Sequence, residues 1–166
     1  MPKAIEIETA RLRQWRESDR APFAAMNADA EVMEFFAALQ SREASDASID
    51  AWQSQFAERG WSNWALEVRS SGVFIGFVGL SVPKRVLPFS PCVEVGWRLA
   101  RPYWGQGYAT EGARAALRVG FEGLGLAYIR WCGFHVVFET PDHPTRPPGR
   151  DAFNGKGLLA APVRGI

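Results

Sequence analysis

Residue character alternates through Thr9-Ala10-Arg11-Leu12-Arg13-Gln14-Trp15, which predicts a strand with Leu12 facing inward. Arg16-Glu17-Ser18-Asp19 supplies a helix start, with Ser18 or Asp19 as its cap, and Phe23, Met26 and Ala30 follow at helical spacing. Asp29 to Phe36 is expected to form a second short helix. Ser45 to Arg59 is expected to form a third, with Ile49, Trp52 and Phe56 on one face and Gly60 stopping it.

Trp64-Ala65-Leu66-Glu67-Val68-Arg69 runs into the turn Ser70-Ser71-Gly72, and Val73 to Leu80 resumes strand character, so the two predict an antiparallel hairpin. After a proline-punctuated loop, Cys92-Val93-Glu94-Val95-Gly96-Trp97-Arg98-Leu99 predicts another strand. Val93, Val95 and Trp97 fall on one face and Glu94 on the other. Ala109 to Leu124 predicts a helix with an apolar stripe of Ala109, Ala113, Ala116, Leu117, Phe121 and Leu124, ended by Gly123 and Gly125. On its outer side, Glu111/Arg114 and Arg118/Glu122 are spaced to pair. Ala127 to Val137 predicts a last strand. The order β, α, α, α, β, β, β, α, β implies an α+β domain with a mostly antiparallel mixed sheet and flanking helices.

Composition narrows the function classes. The chain has 166 residues, which suits one domain of the usual ~100–200 residues. Nineteen basic against eighteen acidic side chains leave a net charge of +1, too little to hold nucleic acid or a membrane surface by charge excess. No apolar run reaches the ~18–20 residues of a membrane span. The opening Met1-Pro2-Lys3-Ala4-Ile5-Glu6 does not resemble a signal peptide, so a cytoplasmic location is expected. Cys92 and Cys132 form neither a disulfide framework nor a metal cluster, and no metal is expected. The ending differs from the rest, with Pro141, Pro144, Pro147, Pro148 and Pro162 crowded into it.

The chemistry resides where a strand, a glycine turn and a helix follow one another. A helix opening leaves N–H groups unpaired and carries partial positive charge. Gly105 and Gly107 let a turn gather such groups, and Ala109, Thr110 and Gly112 keep the first helical turn slim. The segment is either a diphosphate site or a tight turn that caps a helix. It lacks the third spaced glycine of a dinucleotide fingerprint and the Gly-Lys-Ser/Thr of a Walker loop, which disfavours a nucleotide-binding fold.

Val93-Glu94-Val95-Gly96-Trp97-Arg98-Leu99 followed by Tyr103-Trp104-Gly105-Gln106-Gly107-Tyr108-Ala109-Thr110-Glu111 resembles the acetyl-CoA motif of the GNAT superfamily of N-acyltransferases. The nearest subgroup in pattern is that of the ribosomal-protein N-terminal acetyltransferases. Gly107 and Ala109 fill the motif's small positions, and Trp104 stands where Gln or Arg leads it. Thr9-Ala10-Arg11-Leu12-Arg13 and Phe74-Ile75-Gly76-Phe77-Val78-Gly79-Leu80 resemble the family in order and spacing, over roughly residues 5–129.

The resemblance implies a GNAT-like acyl-CoA N-acyltransferase fold and direct attack of a primary amine, on a protein N-terminus or a small molecule, upon acetyl-CoA as cosubstrate. It implies pantetheine against Trp97, Arg98 and Leu99, with pyrophosphate on the N–H groups of Gly105, Gln106, Gly107, Tyr108, Ala109 and Thr110. Glu94 is the candidate general base, or else an ordinary strand glutamate. Phe35, Phe36, Trp61 and Trp64 are candidates to line the acceptor site, or else core. Arg98 and Arg101 either meet CoA phosphates or stay solvated.

After Ile129 the resemblance stops. The family's Asn-x-x-Ser and final helix have no counterpart, and no helix runs through Pro141, Pro144, Pro147 and Pro148. Residues 1–129 are therefore expected to form the acetyl-CoA-binding domain. Residues 130–166 are then a divergent tail or a frameshift product, with the C-terminal helix and strands altered or missing. An uncovered sheet flank would favour a homodimer. A catalytically degenerate GNAT domain that holds CoA or a partner chain without turnover is the alternative to the enzyme.

Overall fold

The computed structural model describes residues 4–83, 90–131 and 136–139. Strands β1 (Ala4–Glu6) and β2 (Ala10–Arg13) form a hairpin, and helices α1 (Arg20–Asn27) and α2 (Arg42–Arg59) follow. Next come the hairpin strands β3 (Asn63–Val68) and β4 (Phe74–Ser81), then β5 (Glu94–Leu99), helix α3 (Tyr108–Arg118), β6 (Tyr128–Trp131) and β7 (Val136–Glu139). The strands form a single sheet in sequence order. Every neighbouring pair is antiparallel except β5 and β6, which run parallel. The predicted α+β class and mixed sheet are thus what the chain forms.

The sheet separates two apolar layers because successive strand side chains face opposite sides. On one side Leu12, Trp64, Leu66, Ile75, Val78, Leu80, Val95 and Leu99 pack against Ala109, Ala113, Ala116 and Leu117 of α3. Gly112 permits this contact: a Cβ there would lie 2.8 Å from Val78 Cγ2. On the other side Trp15, Phe23, Met26, Ile49, Ala65 and Phe77 form the core beneath α1 and α2. Trp15 centres an aromatic group there, 5.1 Å from Phe23 and 5.3 Å from Trp52 between ring centroids.

A buried ionic network ties the first hairpin to this layer. Arg13 donates from Nη1 and Nη2 to Asp19 at 2.7 and 2.9 Å, and from Nε to Glu67 at 2.5 Å. All three side chains are buried. Asp19 also accepts from the Arg16 backbone N–H at 2.8 Å, which fixes the turn into α1.

Several local expectations change. Residues 29–36 form turns rather than a helix, because the Asp29 carboxylate accepts from the N–H of Glu31 at 2.9 Å and so competes with helical pairing. Helix α2 begins earlier, at Arg42, where Ser41 caps it by accepting from Ala44 N–H at 3.2 Å. The span Ala127–Val137 holds parts of two antiparallel strands, not one. Glu111 does not pair with Arg114; its carboxylate takes the backbone N–H and hydroxyl of Thr9 instead, binding α3 to the β1–β2 turn. Arg118 and Glu122 form no ion pair with each other among the described residues. Residues 140–166, which hold most of the divergent ending, lie outside the described residues.

Candidate active site

The parallel ladder between β5 and β6 consists of one bridge, Glu94 with Arg130, supported by the Arg130 N–H donating to Val93 C=O at 2.9 Å. Trp131 follows in β6 but pairs with Val136 of β7, not with β5. Beyond Glu94, β5 therefore has no β6 ladder partner among the described residues. The N–H and C=O of one residue in an antiparallel strand point to the same side, and the side alternates along the strand. Ala100 N–H donates to Ile75 C=O at 2.9 Å, so Glu94, Gly96 and Arg98 direct their backbone groups to β4. Val95, Trp97 and Leu99 direct theirs to the other edge of β5, the β6 side.

Helix α3 follows β5 and packs against it. Arg101–Tyr103 form one turn of 3-10 helix, and Gly105 and Gly107 then take left-handed φ values of 71° and 86°. A Cβ at either glycine would meet nothing within 4 Å, so both present a bare backbone surface. The first helical bond runs from Glu111 N–H to Gly107 C=O at 3.0 Å. The N–H groups of Tyr108, Ala109 and Thr110 have no acceptor among the described residues. The Thr110 hydroxyl is also buried without a partner. These unsatisfied donors, together with the positive helix end, fit a diphosphate.

Trp104 locks the loop onto the strand. Its indole N–H donates to the Leu99 carbonyl at 2.8 Å, which joins the loop to the end of β5. The Gln106 amide donates back to Pro102 C=O at 2.8 Å. The ring of Tyr108 lies against Tyr103 at 6.4 Å rather than over the loop.

The opposite face of β5 carries Glu94, Gly96 and Arg98. Glu94 is part-buried and accepts from the Ser81 hydroxyl at 3.0 Å. A Cβ at Gly96 would again meet nothing within 4 Å, so the strand surface next to Glu94 is open. Arg98 donates from Nη1 to Asn27 Oδ1 at 2.7 Å, and its Cζ lies 4.1 Å from the Phe36 ring centroid and 5.5 Å from that of Phe77. Burial pushes the Arg98 guanidinium down to about 10. Asn27 is itself held by donating to Ser45 Oγ at 2.9 Å.

The sequence candidates divide accordingly. Gly105, Gln106, Gly107, Tyr108, Ala109 and Thr110 come together at the helix opening, and Trp97 and Leu99 face α3 beside it. Arg98 departs from expectation: its side chain turns to the α1 side, away from the loop, because strand alternation opposes it to Trp97 and Leu99. Arg101 pairs with Glu31 at 2.5 Å. Phe36 packs beneath Arg98, while Phe35 is 78% exposed. Trp64 is 2% exposed and packs on Phe56 in the α3-side core, which removes it from the acceptor lining. Trp61 lies beneath Arg59 at 3.9 Å and packs against the same core. Sequence reasoning missed Asn27 and Ser81, since nothing in their local context marks a polar residue that will meet β5. Burial raises the Cys92 thiol above its ordinary range.

Comparison with known proteins agrees with this geometry. Residues 10–134 match the model of the acetyltransferase (GNAT) domain. The chain belongs to the GNAT acetyltransferase family. It is 33% identical over 118 residues to the uncharacterized protein YkkB of Bacillus subtilis (strain 168), covering 70% of this chain and 67% of that one. It is 36% identical over 100 residues to an FsC-acetyl coenzyme A-N(2)-transacetylase of Aspergillus fumigatus, covering 48% of this chain and 43% of that enzyme. A crystal structure of an acetyltransferase from Agrobacterium tumefaciens str. C58 superposes with a TM-score of 0.67 at 20% identity, covering 86% of this chain and 76% of the other. The fold is that of the GNAT acyl-CoA N-acyltransferases.

Proposed function

We propose that this chain is an acetyl-CoA-dependent N-acetyltransferase that acts on a primary amine by direct attack. The observation that carries the proposal is the set of unsatisfied N–H groups and the partnerless Thr110 hydroxyl at the opening of α3, next to the end of β5. Acetyl-CoA would place its pyrophosphate on the N–H groups from Gly105 to Thr110, with its pantetheine arm along Trp97 and Leu99, where the family resemblance implies a splay of β5 from β6. The thioester would then lie between β5 and β6, near Gly96.

The amine nitrogen attacks the thioester carbon, forming the C–N bond and moving the carbonyl electrons onto oxygen. Strand N–H groups directed into the splay stabilise that oxyanion. Collapse of the intermediate breaks the C–S bond, and CoA leaves as thiolate. Glu94, directly or through water, takes the proton that the amine gives up. Its hydrogen bond from Ser81 holds the carboxylate on the open face beside Gly96. The acceptor enters from the α1 side, where Phe36 and Arg98 stand.

Calorimetric titration with acetyl-CoA, followed by release of free CoA thiol with an amine panel, tests the proposal. Binding with amine-dependent release supports it. Binding without release indicates a domain that holds CoA without turnover, and no binding overturns both.

A further inference from the structure

We propose that the acceptor is an amine that also carries a carboxylate, and that Arg98 binds this carboxylate. The inference rests on the acetyltransferase reading above and adds the chemical class of its acceptor.

Arg98 lies two strand positions beyond Gly96 and four beyond Glu94, so all three share the face of β5 opposite α3. Gly96 leaves an open floor between the two charged side chains. One end of that floor carries a proton acceptor and the other a guanidinium. An amino-carboxylate has the complementary polarity, with its amine toward Glu94 and its anion toward Arg98.

The surroundings of Arg98 show a cation without its counter-ion. Arg13, which is fully buried, meets the carboxylates of Asp19 and Glu67, whereas Arg98 is half-buried. Arg11, Arg16, Arg20, Arg42, Arg69 and Arg101 each pair with an acid as well. Arg98 meets no acid among the described residues. Its polar partner is a neutral amide, Asn27 Oδ1, and its faces lie on the rings of Phe36 and Phe77. Its Nε is buried without an acceptor, and Nη2 also donates to none among the described residues.

Such an arrangement is costly for a purely structural arginine, because a charge taken from water demands compensation. It suits a recognition arginine. The Asn27–Ser45 bond and the two rings fix the guanidinium plane before any ligand arrives, and a carboxylate then receives charge-assisted hydrogen bonds from a preset donor.

The test uses the full-length protein and a panel of α-amino acids, dipeptides and ω-amino acids, each assayed against its own carboxamide. The amine is the same in each pair, and only the anion is removed. At least one acid is expected to exceed its amide by about tenfold or more in kcat/KM. Arg98→Met should bring that ratio to about one, and Arg98→Lys should keep part of it by retaining the charge without the planar fork. Equal use of acids and amides by the unmodified protein overturns the proposal. So does a ratio that Arg98→Met leaves intact. Should Arg98→Met fail to fold, the acid-to-amide ratio of the unmodified protein decides alone. Should no amine be turned over, the acetyltransferase reading fails by itself. Calorimetric binding of the same pairs to the CoA-saturated protein then decides this proposal by the same ratio.

Discussion

The indole N–H of Trp104 donates to the Leu99 carbonyl at 2.8 Å, across the junction between β5 and the loop that opens α3. Leu99 directs its backbone to the β6 side of β5, so a single bond sets this strand and the glycine loop at a fixed spacing. Trp104 stands where the family pattern has Gln or Arg, and its indole supplies one N–H donor there. Trp104→Phe keeps the ring and removes the donor. The loss of one hydrogen bond, about 1 kcal/mol, should weaken acetyl-CoA binding by roughly fivefold in a calorimetric titration. Unchanged affinity would mean that the bond does not organise the site.

Gly107→Asp is a stronger challenge to the same loop. It forces a side chain into a backbone at φ 86° and sets a negative charge where the pyrophosphate would lie. Gly107→Ala separates the two effects, because it adds the backbone strain of about 1–2 kcal/mol without charge. The Asp variant should lose detectable acetyl-CoA binding, while the Ala variant keeps weakened binding. Circular dichroism should show that both retain the fold, since a Cβ at this position meets nothing within 4 Å.

Glu94→Gln removes the proposed proton acceptor but can still accept a hydrogen bond from Ser81. If Glu94 is the base, kcat should fall by about 10²–10⁴-fold, with little change in acetyl-CoA affinity. Equal turnover by the two proteins would leave Glu94 as an ordinary strand residue.

Stability should depend most steeply on the buried ionic cluster. Arg13→Met leaves the buried Asp19 carboxylate without its cation, while Glu67 keeps Arg11 and Arg16. The expected cost is about 3–5 kcal/mol in a urea unfolding curve. Arg42→Met removes an exposed i,i+4 pair with Asp46 and should cost less than about 1 kcal/mol in the same measurement.

Much of this was legible in the chain, for identifiable reasons. Leu12, the 64–80 hairpin and the α3 stripe carry strong periodicity that tertiary contacts reinforce. Gly105, Gly107 and Thr110 were legible because a helix opening is a local feature. Strand β1 was missed because three residues establish no period. The helix expected over 29–36 gave way to an Asp29 side-chain turn, a competition that spacing alone does not resolve. The orientation of Arg98 and its contact with Asn27, and the bond between Glu111 and Thr9, depend on segments far apart in sequence. They become visible only once the sheet is assembled.

Transfer of the acetyl group is measured most directly by mass spectrometry of the acceptor alongside CoA thiol release. The protein is mixed with acetyl-CoA and a primary amine. An acceptor heavier by one acetyl group is expected, formed in equal amount with free CoA and absent without protein. An unmodified acceptor across the amine panel, with acetyl-CoA intact, would contradict acetyl transfer.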